Sequence, residues 1–300
     1  MRQSRTDAEE PANNLEVFKL MRAVINGTEL FYTVKGSSGT AHPVFLMHGP
    51  GFDHTFFRPC LDPLAEERQL IYFDNRGSGR SSRFDDFGKL TIDTLVEDID
   101  ALRIHLGFDQ IILYGHSFGG SVALRYARRL GSHLSGLILD GTAPAFDYQP
   151  VMMVNASARG TAEQVQQLMS AFIGQVTEDD ALRQLWKHVL PIYFHRYDPT
   201  VGDKMMDEIQ FSAAAFNHFA GLFLSMNMLD NLCDIRTPTL VVAGRHDWVC
   251  PPAQGGERLH AGLPDSQLVI FEHSGHFPFI EEQDKYLGTV KKWIRTLGSN

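Results

Sequence analysis

Cysteine is scarce in this 300-residue chain: Cys60, Cys233 and Cys250 are all it has. Three scattered thiols cannot build a disulfide framework, and an odd count suits a reducing compartment. None sits in a Cys-x-x-Cys pair, so a structural zinc is not expected. Basic charge is also short. Lysine and arginine total 27 against 36 acidic residues, for a formal net charge of -9. No basic block appears, which argues against a nucleic-acid partner. The acidic balance favours solubility and points to no particular partner. Long apolar runs are missing too; none approaches the ~18 residues of a membrane span. The opening MRQSRTDAEEPANN carries charge with no apolar segment behind it, unlike a secretory signal. The reading is a cytoplasmic protein without membrane attachment. Internal repeats and low-complexity tracts are likewise absent from the sequence.

What is present is enough for a large core. Hydrophobic residues make up 43%, charged residues 21% and aromatics 11%, which excludes a disordered chain, a coiled coil and a collagen. The length exceeds one small core and falls short of two full-size domains.

Patterning resolves part of that tension. Segments 17–25 and 29–34 flank Asn26-Gly27, a hairpin signal. Short apolar runs follow at 44–47, 70–73, 110–114 and 134–140, and again at 239–243 and 267–271. Between them lie helical stretches at 91–106 and 121–130, and an amphipathic helix at 286–297 closes the chain. Short apolar strands alternating with helices predict an α/β fold: a mostly parallel sheet covered on both faces. From about 150 to 228 the alternation stops. Helix-like stretches at 162–172, 179–188 and 203–219 replace it, with Met152, Met153, Met169, Met205, Met206, Met226 and Met228 among them. Methionine fills irregular apolar space, so packing between helices is the first reading. The predicted organisation is a flexible arm over 1–14, a core domain over 15–149 and 229–300, and a helical cap over 150–228. Such an insertion can lie over the carboxyl ends of the strands, where α/β proteins bind ligands.

The sharpest chemical signal is Gly115-His116-Ser117-Phe118-Gly119-Gly120, between an apolar run and a helical stretch. That context suits a nucleophile elbow, a strand-to-helix turn so tight that it needs glycine on either side. The turn would expose Ser117, and the N–H of Phe118 at the helix start could face a developing oxyanion. A serine hydroxyl needs a base. Asp247 follows the run 239–243, and His276 lies just after the run 267–271, giving the order Ser, Asp, His. His246 and His273 compete with His276. Gly275 before His276 and Phe277-Pro278-Phe279 after it favour His276, because a base loop must turn and re-enter the core. Asp140 also ends a strand and competes with Asp247, which is preferred for its complete strand–Gly-x-x-Asp pattern.

Taken with His48-Gly49-Pro50-Gly51, Asp74-Asn75-Arg76-Gly77-Ser78-Gly79-Arg80-Ser81, Gly244-Arg245-His246-Asp247 and Ser274-Gly275-His276, these motifs resemble the α/β-hydrolase superfamily, in its proline iminopeptidase-like branch. The resemblance spans roughly 17 to 297. It implies the α/β-hydrolase fold with Ser117 as nucleophile, Asp247 as acid and His276 as base. The first loop of the branch usually reads His-Gly-Gly-Pro-Gly and is one glycine shorter here. Pro50 has no N–H, so the second donor comes from Gly49 or Gly51 or the hole is altered, and Gly49 is named beside Phe118 for the oxyanion hole. The branch also holds a substrate amine with cap carboxylates. Phe216-Asn217-His218-Phe219 offers none, which leaves Glu208 or Asp207 as substitutes. Phe52 and Trp248 are candidate pocket walls, with Phe56 and Phe118 beside them. The Asp74–Ser81 loop and His48 read as structural.

The functional expectation is a serine hydrolase cleaving an ester or amide of a small molecule or short peptide, with no metal or cofactor. A carboxylesterase or acyl-lactone hydrolase without aminopeptidase activity, or a non-hydrolytic small-ligand receptor on the same fold, are the alternatives. Oligomeric state is not legible in the sequence.

Overall fold

Asn26 and Gly27 take φ of 46° and 76°. This left-handed pair follows the right-handed twist of the strands it joins, β1 (Lys19–Ile25) and β2 (Thr28–Lys35). The computed structural model describes residues 19–37, 42–84 and 86–298. The arm expected over 1–14, and the start of the opening strand at 17, lie outside the described residues.

Four buried residues each form β3 (Val44–Met47) and β4 (Leu70–Phe73). Having no polar face, they can only be central strands. Helix α1 (Ile92–His105) starts where Thr91 and Thr94 form a reciprocal cap. Strand β5 (Ile111–His116) then leads into α2 (Phe118–Leu130), and β6 (Leu134–Asp140) follows.

Five helices come next: α3 (Gln149–Arg159), α4 (Ala162–Phe172), α5 (Asp179–Val189), α6 (Pro199–Glu208) and α7 (Ala213–Leu224). The alternation resumes with β7 (Thr239–Gly244), α8 (Gly256–Gly262) and β8 (Ser266–Phe271), and the chain closes on the short α9 (Pro278–Glu281) and α10 (Gln283–Thr296).

The eight strands form one sheet in the order β1-β2-β4-β3-β5-β6-β7-β8. The β1–β2 and β2–β4 pairs are antiparallel, and the rest are parallel. Strands β5, β7 and β8 therefore end on the same edge, and Ser117, Asp247 and His276 all follow those ends.

One expected element is corrected. The stretch 203–219 is not a continuous helix but breaks between α6 and α7. The amide of Gln210 donates to Asp53 Oδ2 at 3.2 Å, and that of Ser212 to the Gly51 carbonyl at 2.8 Å. Arg83 also donates to the Phe211 carbonyl at 2.8 Å. These partners capture backbone groups that a helix would otherwise pair internally. Helix α3, over part of the expected cap, and α8 are additional to the expected elements.

Candidate active site

Ser117 connects β5 to α2 with φ 55° and ψ −119°, a conformation that costs a non-glycine residue energy. The turn is held because its neighbours are glycine. A Cβ on Gly115 would lie 2.3 Å from the Gly119 carbonyl oxygen, and one on Gly119 would lie 2.1 Å from that of Met47. The Ser117 N–H donates to the Asp140 carbonyl at 2.9 Å. Phe118 opens α2, so its N–H has no acceptor within the helix.

His276 donates its backbone N–H to the Tyr193 carbonyl at 2.7 Å, and its Nδ1 lies 2.7 Å from Asp247 Oδ2. The other oxygen, Oδ1, accepts the amides of Val249 and Cys250 at 2.8 and 3.0 Å. Both residues are about 3% exposed, so the pair is shielded from water. Behind it, His116 donates Nε2–H to the His276 carbonyl at 2.9 Å, with the two rings 4.7 Å apart. Burial, and then the neighbouring His276, push His116 well below the usual imidazole range, so it stays neutral.

The rival carboxylate, Asp140, does not face the imidazole in this way. Its Oδ2 accepts the hydroxyls of Tyr114 and Tyr286 at 2.7 and 2.8 Å. Burial pushes its carboxyl up to about 7, against the opposing pull of those two hydroxyls. The rival histidines lie elsewhere. His246 stacks on His195 with ring centroids 3.9 Å apart, and the His273 backbone is held by Glu282 at 2.9 Å.

Ser117, Phe118, Gly49, Phe52 and His276 line one cavity, together with residues of the helical insertion: Phe172 (α4), Trp186 (α5), Met206 (α6), Phe216 and Phe223 (α7). Its empty space totals about 590 Å³, the open mouth included. Two sequence candidates lie outside it. Trp248 is buried behind Tyr193, edge-on at 5.1 Å, and forms no part of the wall. Glu208 sits in a separate surface depression with Pro199, Asp203 and Asp207, and its carboxylate is 3.9 Å from Lys204. Trp186, Tyr193 and Phe216 are wall residues that the sequence reading missed. Aromatic residues inside a helical insertion were the available signal, but no motif marks which of them face inward.

The first loop is held from both sides. His48 Nδ1 donates to the Gly49 carbonyl at 2.8 Å. Gly51 has φ 71°, and a Cβ there would lie 2.6 Å from Phe216 Cβ, so Gly51 is turned against α7. Gly49 is the glycine of this loop that reaches the cavity.

Among the described residues, Asp53, His54 and Asp74 bring possible metal-ligating atoms within 4.8 Å of one another. Those atoms already serve the loop. Asp74 accepts His54 N–H, His54 Nδ1–H and Arg80 N–H at 2.7–2.8 Å, and Asp53 accepts the amides of Thr55 and Gln210. Arg76 pairs with buried Asp98. This is a structural junction between the first loop, the Asp74–Ser81 loop and the insertion.

A parallel sheet with a strained serine at the end of β5 defines the class, an α/β hydrolase. Residues 42–283 match the family model described as the alpha/beta hydrolase fold, and the chain belongs to that family, in its proline iminopeptidase-like branch. It is 30% identical to a proline iminopeptidase of Clostridium botulinum, over 88% of this chain and 94% of that one. It is 28% identical to a proline iminopeptidase of Pestalotiopsis fici, over 90% and 97%. Among solved structures, an enol-lactonase from Burkholderia xenovorans superposes with a TM-score of 0.74 at 24% identity, covering 92% of this chain and all of that one. An esterase from Thermogutta terrifontis superposes at 0.70 with 27% identity, over 93% and 99%. The protein is a hydrolase. Among the described residues no helix is long and apolar enough to cross a membrane.

Proposed function

We propose that the protein cleaves an ester or amide bond of a small molecule or short peptide through an acyl-enzyme on Ser117. The observation that carries this is the 2.7 Å contact from Asp247 to His276 Nδ1, with the imidazole and Ser117 on one cavity. A carboxylate on Nδ1 leaves Nε2 as the free base. Ser117 Oγ attacks the substrate carbonyl carbon and passes its proton to His276 Nε2. The carbonyl oxygen becomes an oxyanion and is held by the N–H groups of Phe118 and Gly49. Collapse breaks the bond to the leaving group, which takes the proton from His276. Water then attacks the acyl-enzyme with His276 again as base, and Ser117 is released with its proton.

The helices over 150–228 serve as the cap that roofs this reaction. The thiols of Cys60, Cys233 and Cys250 are all free, which agrees with a reducing, cytoplasmic setting. Ser117→Ala is expected to abolish both turnover of a p-nitrophenyl ester and labelling by a fluorophosphonate. Labelling retained in that variant overturns the assignment.

A further inference from the structure

We propose that Glu281 is a positioning residue for the base His276. Its carboxylate fastens the loop that carries His276 to the helical insertion, so the insertion holds the imidazole in place together with Asp247. This deepens the Ser117 reading and rests on it.

The loop between β8 and α9 does not support itself. The His276 amide donates to the Tyr193 carbonyl of the insertion at 2.7 Å. Glu281, the last residue of α9, joins the same two segments. Its Oε2 accepts the Gly275 amide at 2.6 Å, and its Oε1 accepts the Arg196 amide at 2.9 Å. One oxygen therefore serves the residue before the base, and the other serves the insertion. The two segments are in contact at Gly275, where a Cβ would lie 2.2 Å from the Tyr193 carbonyl oxygen and 2.9 Å from the His195 nitrogen. Burial pushes the Glu281 carboxyl above the usual carboxylate range, while the amides of Arg196, Gly275 and His195 pull it down. A carboxylate in such a place is stabilised by the amides it accepts.

The neighbouring carboxylate acts differently. Glu282 Oε2 accepts the His273 amide and the Ser274 hydroxyl at 2.9 and 2.8 Å, and its Oε1 lies 3.1 Å from Lys285 Nζ of α10. Those partners belong to the loop and to α10, so Glu282 ties the loop to the core. The insertion also grips the acid loop. Arg159 of α3 donates to the Phe194 carbonyl at 3.3 Å and to the His246 carbonyl, next to Asp247, at 2.7 Å. The His195 ring stacks on that of His246. Segment 193–196 thus touches the loops of both base and acid, and Glu281 grips it beside His276. Misplacing a catalytic group by about 1 Å costs on the order of a hundredfold in rate, so a grip on this loop is a grip on kcat.

The test uses the full chain with p-nitrophenyl butyrate or prolyl p-nitroanilide, whichever the wild type turns over faster. Glu281→Gln keeps the side chain's size but sets an NH2 group against one of the amides. Its kcat should fall about thirtyfold with KM within about twofold of wild type. Labelling of Ser117 by a fluorophosphonate should slow by a similar factor, since it needs the same base. Glu281→Asp, with both acceptor oxygens on a shorter arm, should fall between Glu281→Gln and wild type. Glu272→Gln removes an exposed pairing with Arg245 at the start of the same loop and should leave kcat unchanged. A kcat loss below about threefold in Glu281→Gln, a loss carried by KM, no recovery in Glu281→Asp, or an equal loss in Glu272→Gln overturns the inference. Hydrogen exchange reads the grip without turnover. In Glu281→Gln the amides of 193–196 and 275–276 should exchange at least about tenfold faster together, and in Glu282→Gln those of 193–196 should not. That result upholds the grip even if labelling retained in Ser117→Ala sinks the Ser117 reading. Unchanged exchange at 193–196 in Glu281→Gln overturns it.

Discussion

Asp247 Oδ2 stands 2.7 Å from His276 Nδ1, while Oδ1 of the same carboxylate accepts two backbone amides from Val249 and Cys250. One oxygen locks the carboxylate to its own loop and the other orients the imidazole. Asp247→Asn keeps an oxygen for the amides but presents an NH2 group to Nδ1, which favours the wrong tautomer. The expected result is a fall in kcat of about 10⁴-fold with the fold retained. Ester turnover and circular dichroism check it, and a loss of less than tenfold would contradict the orienting role.

Asp140 is one strand away and behaves differently. Its carboxyl is pushed up to about 7 in the native protein, against about 4 in an unfolded chain. Between those values the unfolded chain has released the proton and the native protein still holds it. Native stability therefore falls as pH rises through this window and levels off above about 7. Asp140→Asn removes the titration. Its stability relative to wild type should improve by about 1.4 kcal/mol per pH unit between pH 5 and 7. Urea unfolding of both proteins across that range measures the slope, and a difference that does not change with pH refutes it.

Ser117 pays for its exposure in backbone strain, with φ at 55°. Alanine inherits that strain and glycine does not. Ser117→Gly and Ser117→Ala should both be inactive, but the glycine variant should be more stable than the alanine variant by about 1 kcal/mol. Chemical denaturation of the two proteins decides it, with equal stabilities counting against strain at the turn.

Gly275 sets how closely the His276 loop meets the insertion. A Cβ there would lie 2.2 Å from the Tyr193 carbonyl oxygen, which also accepts the His276 amide at 2.7 Å. Neither partner can yield, because both are backbone. Gly275→Ala should cost about 2 kcal/mol or more of stability and over tenfold in kcat. Gly288 in α10 is the control, since a Cβ there meets nothing within 4 Å. Gly288→Ala should leave kcat unchanged and stabilise the helix by up to about 1 kcal/mol. Equal behaviour of the two variants would dismiss the steric argument.

Much of the fold was legible because its causes are local. The Asn26-Gly27 turn, the four-residue runs of β3 and β4 and the glycines around Ser117 follow from backbone sterics and alternation of apolar character. The order of Ser117, Asp247 and His276 was legible for the same reason: each sits just past a recognisable strand, and parallel strands share an edge. What sequence could not decide is which distant groups meet. Gln210 leaves its helix because Asp53, 157 residues earlier in the chain, takes its amide. Glu208, the last residue of α6 and two residues before Gln210, ends in a surface depression rather than on the cavity. Gly49 and Gly51 are equivalent in sequence, yet contact with Phe216 turns Gly51 to the insertion and leaves Gly49 on the cavity. Trp186 and Tyr193 become neighbouring walls of the cavity only when α5 and the segment after it close over the sheet. Local rules act within a few residues and are written in adjacent letters. Packing joins groups from separate elements, and only the tertiary structure decides which of them lose their water together.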